Sequence, residues 1–236
     1  MEIRVINPNT TLSMTATIGE CARAVVGPGV TVEAVSPETG PVSIESHVDD
    51  AMAVPGVLAE VARGESEGVD GYVLACFGDP GLLAARELAS GPVVGIAEAA
   101  MRTAAYLGRG FSVVTTLART IGHTEDLALE YGLERHCRGV HATGIPVVEL
   151  ETDPQAYATV LEASRQALDD DGSDVVVLGC AGMADLCARL QSDLGVPVVD
   201  GVAAAVTQVE ALVRLGLSTS QRLEFAAPPA KGLVVG

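Results

Sequence analysis

The feature of this sequence that most restricts its fold is one structural pattern that occurs in both halves. Residues 69–107 are predicted to form a strand, a Cys-containing turn, a helix, the segment Gly-Pro-Val-Val and a helix ending at Leu-Gly. Residues 174–216 repeat this order around Val-Pro-Val-Val. Cys76 and Cys180 are 104 residues apart, and the prolines of the two middle segments are 105 apart. Any two βαβ units look alike, but this shared order favours an internal duplication.

The spacing of apolar residues predicts an α/β fold. Short runs rich in Val, Leu and Ile alternate with segments of helical period. Strands that are apolar throughout, each followed by a helix, indicate a mostly parallel sheet flanked by helices on both faces. The predicted strands are 2–7, 30–35, 69–75, 92–96, 111–115, 140–142, 174–179 and 196–199, and the predicted helices are 10–25, 48–66, 80–88, 97–107, 120–131, 154–169, 183–193 and 201–215.

The repeat and the alternation together predict two pseudo-symmetric lobes, each with its own sheet. We expect the first lobe to cover residues 1–97 and the second to cover residues 98–204. Because both repeats run from strand to helix in the same sense, the carboxyl ends of their strands can meet at one cleft. Open α/β sheets bind their ligands at that end, so the cleft is the predicted active site.

Composition excludes several classes of partner. The 31 acidic residues outnumber the 14 basic ones, and a net charge of −17 repels phosphate backbones, which argues against nucleic acid. No apolar run has the roughly 18–20 residues of a membrane span, and the strand-like start resembles no signal peptide, so we expect a cytoplasmic protein.

Five cysteines without a secretory context indicate free thiols. No metal-ligand spacing and no phosphate-binding glycine motif is present, so neither a metal nor a nucleotide cofactor is predicted.

The two turn cysteines are the candidate catalytic residues. One thiolate could remove a proton from a carbon acid while the other thiol returns a proton to the opposite face, as general acid/base catalysis requires. Backbone N–H groups in the two turns would hold the oxygen that gains negative charge. The competing interpretation is that both cysteines are small, inert core residues at strand ends. The residues of this prediction are Cys76 and Cys180 as acid and base, with Phe77, Gly78, Ala181 and Gly182 as the N–H donors.

The residues after Cys76 predict a difference between the two thiols. Asp79 and Pro80 have the pattern of an N-cap followed by proline at the first helical position. A helix beginning there would place Cys76 before its N-terminus and lower the pKa of the thiol. The turn at Cys180 has no acidic cap, so the two thiols are expected to differ in proton affinity.

Polar residues at other strand ends are candidates for contacting a ligand. Asn9 follows the first strand, where it could hydrogen-bond a ligand or, like Thr10, cap the next helix. Thr115 and Thr116 hold the matching position in the second lobe and pose the same choice.

One loop and the three remaining cysteines have less specific sequence patterns. The loop 40–47 is predicted to form a lid or a pocket wall, with His47 as a surface or capping residue. Cys21 and Cys187 are predicted in the core, and Cys137 in a loop or at a helix end.

Several stretches together resemble the Asp/Glu/hydantoin racemase family, and within it the hydantoin and allantoin racemase branch. The matching stretches are Ile6–Thr10, Gly40–Ser46, Ala75–Gly81, Val94–Ala99, Leu178–Met183 and Pro197–Val202, which occur in order along nearly the whole chain.

The resemblance implies a specific reaction. It implies cofactor-independent racemisation at C5 of a hydantoin-type ring by cysteines matching Cys76 and Cys180. Main-chain N–H groups and side chains matching Asn9, Thr115 and Thr116 would hold this small-molecule substrate. The resemblance also implies a homo-oligomer, and a C-terminal segment, about 205–236, that packs back on the first lobe.

Three other functions stay open on the sequence alone. An aspartate/glutamate-type racemase or a related decarboxylase belongs to the same superfamily, although such decarboxylases normally keep only one of the two cysteines. A non-catalytic two-lobe binding protein would bind a small molecule without exchanging its protons. A redox protein would form a disulfide between Cys76 and Cys180.

Overall fold

A computed structural model of the chain describes residues 1–229, and within them two parallel four-stranded sheets carry the fold. The first sheet has the order β2-β1-β3-β4, and the second has the order β6-β5-β7-β8. In both sheets the four strands, numbered along the chain, are therefore arranged as second, first, third and fourth. The strands are β1 (Glu2–Ile6), β2 (Thr31–Val35), β3 (Gly71–Leu74), β4 (Val93–Gly95), β5 (Phe111–Thr115), β6 (Cys137–Ala142), β7 (Val175–Leu178) and β8 (Val198–Val199). The predicted α/β fold and its parallel sheets are confirmed.

Eight α-helices alternate with these strands in residues 1–229. They are α1 (Leu12–Val25), α2 (His47–Glu67), α3 (Leu82–Leu88), α4 (Ile96–Leu107), α5 (Ile121–Glu130), α6 (Ala156–Asp171), α7 (Cys187–Leu194) and α8 (Gly201–Arg214). None of the described helices is long and apolar enough to cross a membrane.

Three predicted elements differ from the structure. The predicted helix 183–193 is in fact a 3₁₀ segment, Ala181–Leu186, followed by α7. The strand predicted at 140–142 begins earlier, at Cys137, which therefore lies in β6 and not in a loop or at a helix end. The predicted helix 80–88 begins only at Leu82, because Asp79 and Gly81 have φ of +46° and +74°, outside the helical region.

Only 3% of the residues are aromatic, and the hydrophobic core is built mainly from valine, alanine, leucine and isoleucine. Strand residues that face inward, such as Val5, Val73, Val113 and Val177, form one continuous cluster with α1, α4 and α8 between the two sheets. The strand residues between these inward-facing positions point to the opposite face of each sheet. There they form two outer hydrophobic clusters, one under α2 and α3 and one under α6 and α7. Each sheet is thus covered on both faces, as continuous apolar strands indicate. Helices α4 and α8 approach each other through alanines, and small side chains allow that close packing.

Helix α4 contacts strands of both sheets, whereas α8 contacts strands of the first sheet and helix α4. Helix α8 packs against β1, β3 and β4 of the first sheet, and α4 packs against β5, β7 and β8 of the second as well as against β4. The lobe boundaries at 97/98 and 204/205 stay a prediction, as does the return of 205–236 to the first lobe. Of that last segment, residues 230–236 lie outside the described part of the chain.

Candidate active site

One cavity of about 160 Å³ lies where the carboxyl ends of both sheets converge. Its walls come from the segments that follow β1, β3, β5 and β7 and from the loop before α2. This loop was predicted as a lid or pocket wall, and it is a wall. Eight of the nine predicted site residues line the cavity: Asn9, Cys76, Phe77, Gly78, Thr115, Thr116, Cys180 and Ala181. Gly182 is not among the lining residues, and a Cβ at this position would lie 3.2 Å from Leu150 and 3.6 Å from both Cys180 and Met14.

The two catalytic candidates occupy equivalent turns. Cys76 follows β3, and its carbonyl oxygen accepts a hydrogen bond from the N–H of Asp79 at 3.0 Å. Cys180 follows β7, and its carbonyl oxygen accepts one from the N–H of Met183 at 3.1 Å. Both thiols are free and both line the same cavity. The duplication therefore brings one thiol from each half of the chain to one space.

The prediction of a lowered thiol pKa at Cys76 is wrong. Burial raises the pKa of the Cys180 thiol to about 11 and raises that of Cys76 further. A backbone N–H at Gly78 or Gly182 acts in the opposite direction on its own thiol, and burial outweighs it. The predicted helix dipole has little effect, because α3 begins only six residues after Cys76. Both thiols therefore hold their protons at neutral pH.

The two thiols also face different carboxylates, as an unequal pair should. The carboxylates of Asp50 and Asp79, together with the Cys180 thiol, raise the pKa of Cys76 beyond the effect of burial. Cys180 has Glu45 as its charged neighbour. The expected difference in proton affinity is present, but the helix cap from which it was predicted is not. Burial is the largest influence on both pKa values, and the neighbouring charges add to it.

Asn9 is held so that its amide nitrogen remains available. Its Oδ1 accepts hydrogen bonds at 2.9 Å from Asn7 Nδ2 and from the N–H of Thr11. Within residues 1–229, its Nδ2 donates to a single acceptor, the weakly accepting Sδ of Met14, at 3.3 Å. The N-cap of α1 is Thr11, so neither Asn9 nor Thr10 caps this helix. Asn9 therefore offers a buried amide donor to a ligand in the cavity.

The matching position in the second half presents hydroxyl groups. Thr115 and Thr116 are buried at the end of β5 and line the cavity. The hydroxyl of Thr115 pairs with that of Thr120 at 3.0 Å. Thr116 is fixed through its carbonyl oxygen, which accepts from the N–H of Gly144 at 2.7 Å and from the hydroxyl of Thr143 at 3.2 Å.

Asp79 has a different role from the one predicted. The N-cap of α3 is Gly81, and Pro80 precedes it outside the helix. The carboxylate of Asp79 instead accepts from the N–H groups of Ala97 at 3.1 Å and Glu98 at 3.0 Å, in the first turn of α4. It also accepts from the hydroxyl of Tyr131 at 2.7 Å. Asp79 thus links the Cys76 turn to two other elements.

Sequence reasoning missed an acidic and histidine wall of the cavity. His47 is exposed, as predicted, but it also lines the cavity, and its ring meets that of His123 edge to face at 5.7 Å. The capping role belongs to Ser46, whose Oγ accepts from the N–H of Asp49. Asp50 also lines the cavity, and its Oδ1 is buried without a hydrogen-bond partner among the described residues. The sequence did contain one signal for this wall: His47 and Asp50 are three residues apart at the start of a predicted helix, a spacing that puts both side chains on one helix face.

The remaining cysteines lie outside the cavity. Cys21 and Cys187 are half-buried and pack against the hydrophobic core, in agreement with the prediction. Cys187 donates its thiol to the carbonyl oxygen of Val198 at 3.3 Å. Among residues 1–229, no group of three or more His, Cys, Asp or Glu side chains is arranged to hold a metal ion.

Comparison with known proteins agrees over nearly the whole length. The model of the Asp/Glu/Hydantoin racemase family matches residues 3–209. A hydantoin racemase of Rhizobium meliloti is 52% identical over 98% of this chain and 96% of its own length. A hydantoin racemase of Pseudomonas sp. NS671 is 44% identical over 99% of this chain and 94% of its own.

Solved structures give the same result. An allantoin racemase from Klebsiella pneumoniae superposes with a TM-score of 0.98 at 52% identity, covering 100% of this chain and 96% of that one. An arylmalonate decarboxylase, at 20% identity and a TM-score of 0.63 over 90% of this chain and 92% of its own, shares the fold alone. The sequence match and the superposition together establish that this chain belongs to the Asp/Glu/hydantoin racemase family of isomerases.

Proposed function

We propose that this enzyme racemises the C5 centre of a hydantoin-type ring, a 5-substituted hydantoin or allantoin, with Cys76 and Cys180 as its two acid/base groups and without a cofactor. The observation that carries the proposal is that two equivalent turns, one from each half of the chain, bring a thiol each to one cavity. Relatives named hydantoin racemase and a structure named allantoin racemase support the substrate class.

The reaction needs one thiolate and one thiol. The thiolate takes the C5 proton, and the electron pair of the C–H bond moves into the ring to give an enolate with its charge on the C4 oxygen. The second thiol then donates its proton to the opposite face of C5 and becomes a thiolate. The proton count is unchanged, and the two cysteines have exchanged roles.

Hydrogen-bond donors around the cavity suit an anion that forms between the thiols. The N–H groups of Phe77, Gly78 and Ala181 belong to the cavity wall, and the Asn9 amide adds a side-chain donor. Thr115 and Thr116 contribute hydroxyl groups on the other side. Donors fixed in place before the charge develops stabilise the transition state more than the ground state. The N–H of Gly182 acts on the Cys180 thiol as that of Gly78 acts on the Cys76 thiol, but Gly182 does not line the cavity, so we assign its N–H to holding the Cys180 thiol alone.

The test is polarimetry with enantiopure 5-substituted hydantoins and allantoin, run in deuterated water beside a blank without enzyme. Cys76→Ser and Cys180→Ser should each abolish racemisation, and each should retain deuterium exchange at C5 of one enantiomer only. Cys21→Ser is the matched control, because Cys21 is a half-buried thiol outside the cavity, and it should racemise like the wild type.

Several outcomes would contradict the proposal. Normal racemisation by both active-site variants would exclude the two-cysteine mechanism. Binding without deuterium incorporation would indicate a non-catalytic binding protein, and turnover of aspartate or glutamate alone would indicate an amino-acid racemase. The homo-oligomeric state and the cytoplasmic location stay predictions.

A further inference from the structure

The two cysteine turns are closed by the same hydrogen bond but differ in their fourth residue. In the turn at Cys180 this residue is Met183, which is fully buried among the apolar side chains under α6 and α7. In the turn at Cys76 it is Asp79, which is 5% exposed and has φ of +46°. A left-handed conformation is uncommon for a residue other than glycine, so other contacts must hold Asp79 there.

Those contacts connect the turn to helices that pack on the second sheet. Asp79 accepts two N–H groups at the start of α4 and the hydroxyl of Tyr131, the residue that ends α5. Helix α4 packs against β7 and α5, and α5 packs against β6. Asp79, which belongs to the Cys76 turn, is thereby fixed to helices that pack on the second sheet, and the second sheet carries Cys180.

The second repeat shows that a helix cap does not require this arrangement. Helix α8 is the counterpart of α4, and Asp200 caps it from the preceding position, accepting from the N–H groups of Val202 at 3.0 Å and Ala203 at 2.8 Å. The counterpart of Asp200, 105 residues earlier, is Gly95. The backbone of Gly95 has φ −84° and ψ 149°, close to the −87° and 130° of Asp200, so an aspartate fits there.

Gly95 instead leaves room for the carboxylate of Asp79. A Cβ at Gly95 would lie 2.2–2.4 Å from the carboxyl atoms of Asp79. The cap of α4 therefore comes from the cysteine turn, whereas the cap of α8 comes from the adjacent residue. If capping were the only requirement, an aspartate at position 95 would meet it, as Asp200 does for α8.

We propose that Asp79 is a positioning residue for the racemisation: through α4 and Tyr131 it fixes the Cys76 turn, and with it the direction in which the Cys76 thiol and the Gly78 N–H face the cavity. The inference rests on the proposed role of Cys76. It concerns only one of the two thiols, so it predicts an asymmetric defect.

Three variants test this inference. Asp79→Asn removes the charge and one acceptor at constant size. Asp79→Ala combined with Gly95→Asp moves the cap to the position it has in the second repeat. Asp200→Asn is the matched control, because it weakens the equivalent cap of α8 without touching a cysteine turn.

The readouts are kcat, KM and the C5–H exchange rate of each enantiomer in deuterated water. Asp79→Asn should lower kcat on the order of 10²-fold with KM changed less than about twofold, since small misplacements of a catalytic group have costs of this size. The ratio of the two exchange rates should shift in the direction seen in Cys76→Ser and opposite to Cys180→Ser. The double variant should regain wild-type thermal stability while its kcat stays low, and Asp200→Asn should leave the exchange ratio unchanged.

A further readout does not depend on turnover. Iodoacetamide should alkylate Cys76 severalfold faster than in the wild type both in Asp79→Asn and in the double variant, measured by peptide mass spectrometry, with the rate at Cys180 unchanged. The double variant separates a displaced turn from the loss of a charge that raises the Cys76 pKa, because it keeps a carboxylate at the start of α4. Recovery of kcat in the double variant would reduce Asp79 to a helix cap and overturn the inference, as would an unchanged exchange ratio or alkylation rate in Asp79→Asn. Failure of the proposed function is recognised separately, by normal racemisation in Cys76→Ser.

Discussion

The buried carboxyl group of Asp79 makes the stability of this protein depend on pH in a way that one substitution isolates. Burial raises its pKa from the ordinary 3.8 to about 6, against the opposing effect of the hydrogen bonds from Tyr131, Glu98 and Ala97. The folded state then binds the proton more tightly than the unfolded chain. The contribution of this group to stability is therefore complete below pH 3.8 and is lost as the pH rises through 6. The difference between the two pKa values corresponds to about 3 kcal/mol.

About half of that energy is accessible to measurement. The sequence has a pI near 4.4, where the protein is least soluble, so the experiment belongs above pH 5. Between pH 5 and pH 8 the proton linkage of Asp79 changes by about 1.4 kcal/mol. Asp79→Asn removes this titration. We expect the free energy of unfolding of the wild type, minus that of Asp79→Asn, to fall by about 1.4 kcal/mol over this range.

The assay is urea unfolding followed by circular dichroism at several pH values and one protein concentration, because any association would change the apparent stability. Asp169→Asn, an exposed carboxyl of α6, controls for the loss of one negative charge from a chain of net charge −17. A difference that is constant with pH would show that burial does not raise the pKa. A difference that grows with pH would show that the three hydrogen bonds outweigh burial, and either result refutes the reasoning.

Three other substitutions or measurements test separate features. Gly78→Ala would place a Cβ 3.0 Å from Asp50 Oδ1, so we expect lost racemisation with nearly unchanged thermal stability, measured by polarimetry and calorimetry. The rate of iodoacetamide alkylation of Cys180 should still rise between pH 9 and pH 11, because burial raises its pKa to about 11; a plateau near pH 9 would contradict this. Gly64→Ala would place a Cβ 2.7 Å from the ring of Tyr72 and should lower the free energy of unfolding by about 1–3 kcal/mol in urea titrations, without changing kcat.

The sequence predicted the architecture well because the architecture follows from local patterns. Valine-rich runs followed by helices specify parallel strands, and the repeat around Cys76 and Cys180 carries the duplication that both sheets show. Eight of the nine site residues line one cavity for the same reason: each follows a strand, and strand ends of parallel sheets meet at one edge.

The features that sequence reasoning missed depend on contacts between distant segments. Asp79 has the local signature of an N-cap, but its partners are 18, 19 and 52 residues away, and it has a left-handed backbone conformation, so the predicted helix begins only at Leu82. His123 reaches Gly78 O at 3.3 Å only because α5 packs beside the first cysteine turn. Neither contact has a signal within a window of the sequence.

The prediction of thiol pKa failed for a related reason, since burial cannot be inferred from the residues adjacent to a cysteine. The pattern around Cys76 indicates a nearby helix N-terminus, which lowers a thiol pKa, whereas in the structure this thiol lies at the wall of a cavity, where burial raises its pKa. The two effects have opposite signs, and only the three-dimensional structure shows that burial is the larger.

The raised pKa values bear directly on how the proposed racemisation would run at neutral pH. Removing the proton of Cys180 at pH 7 costs about 5 kcal/mol, since burial raises its pKa to about 11. Once formed, however, such a thiolate is a stronger base toward C5 than an ordinary thiolate. After it takes the C5 proton, both cysteines are thiols and the ring carries the charge. That is the protonation state which burial favours for the two thiols. Burial thus favours transfer of the charge from sulfur to the ring, whereas the barrier measured from the state with two thiols still includes the cost of forming the first thiolate.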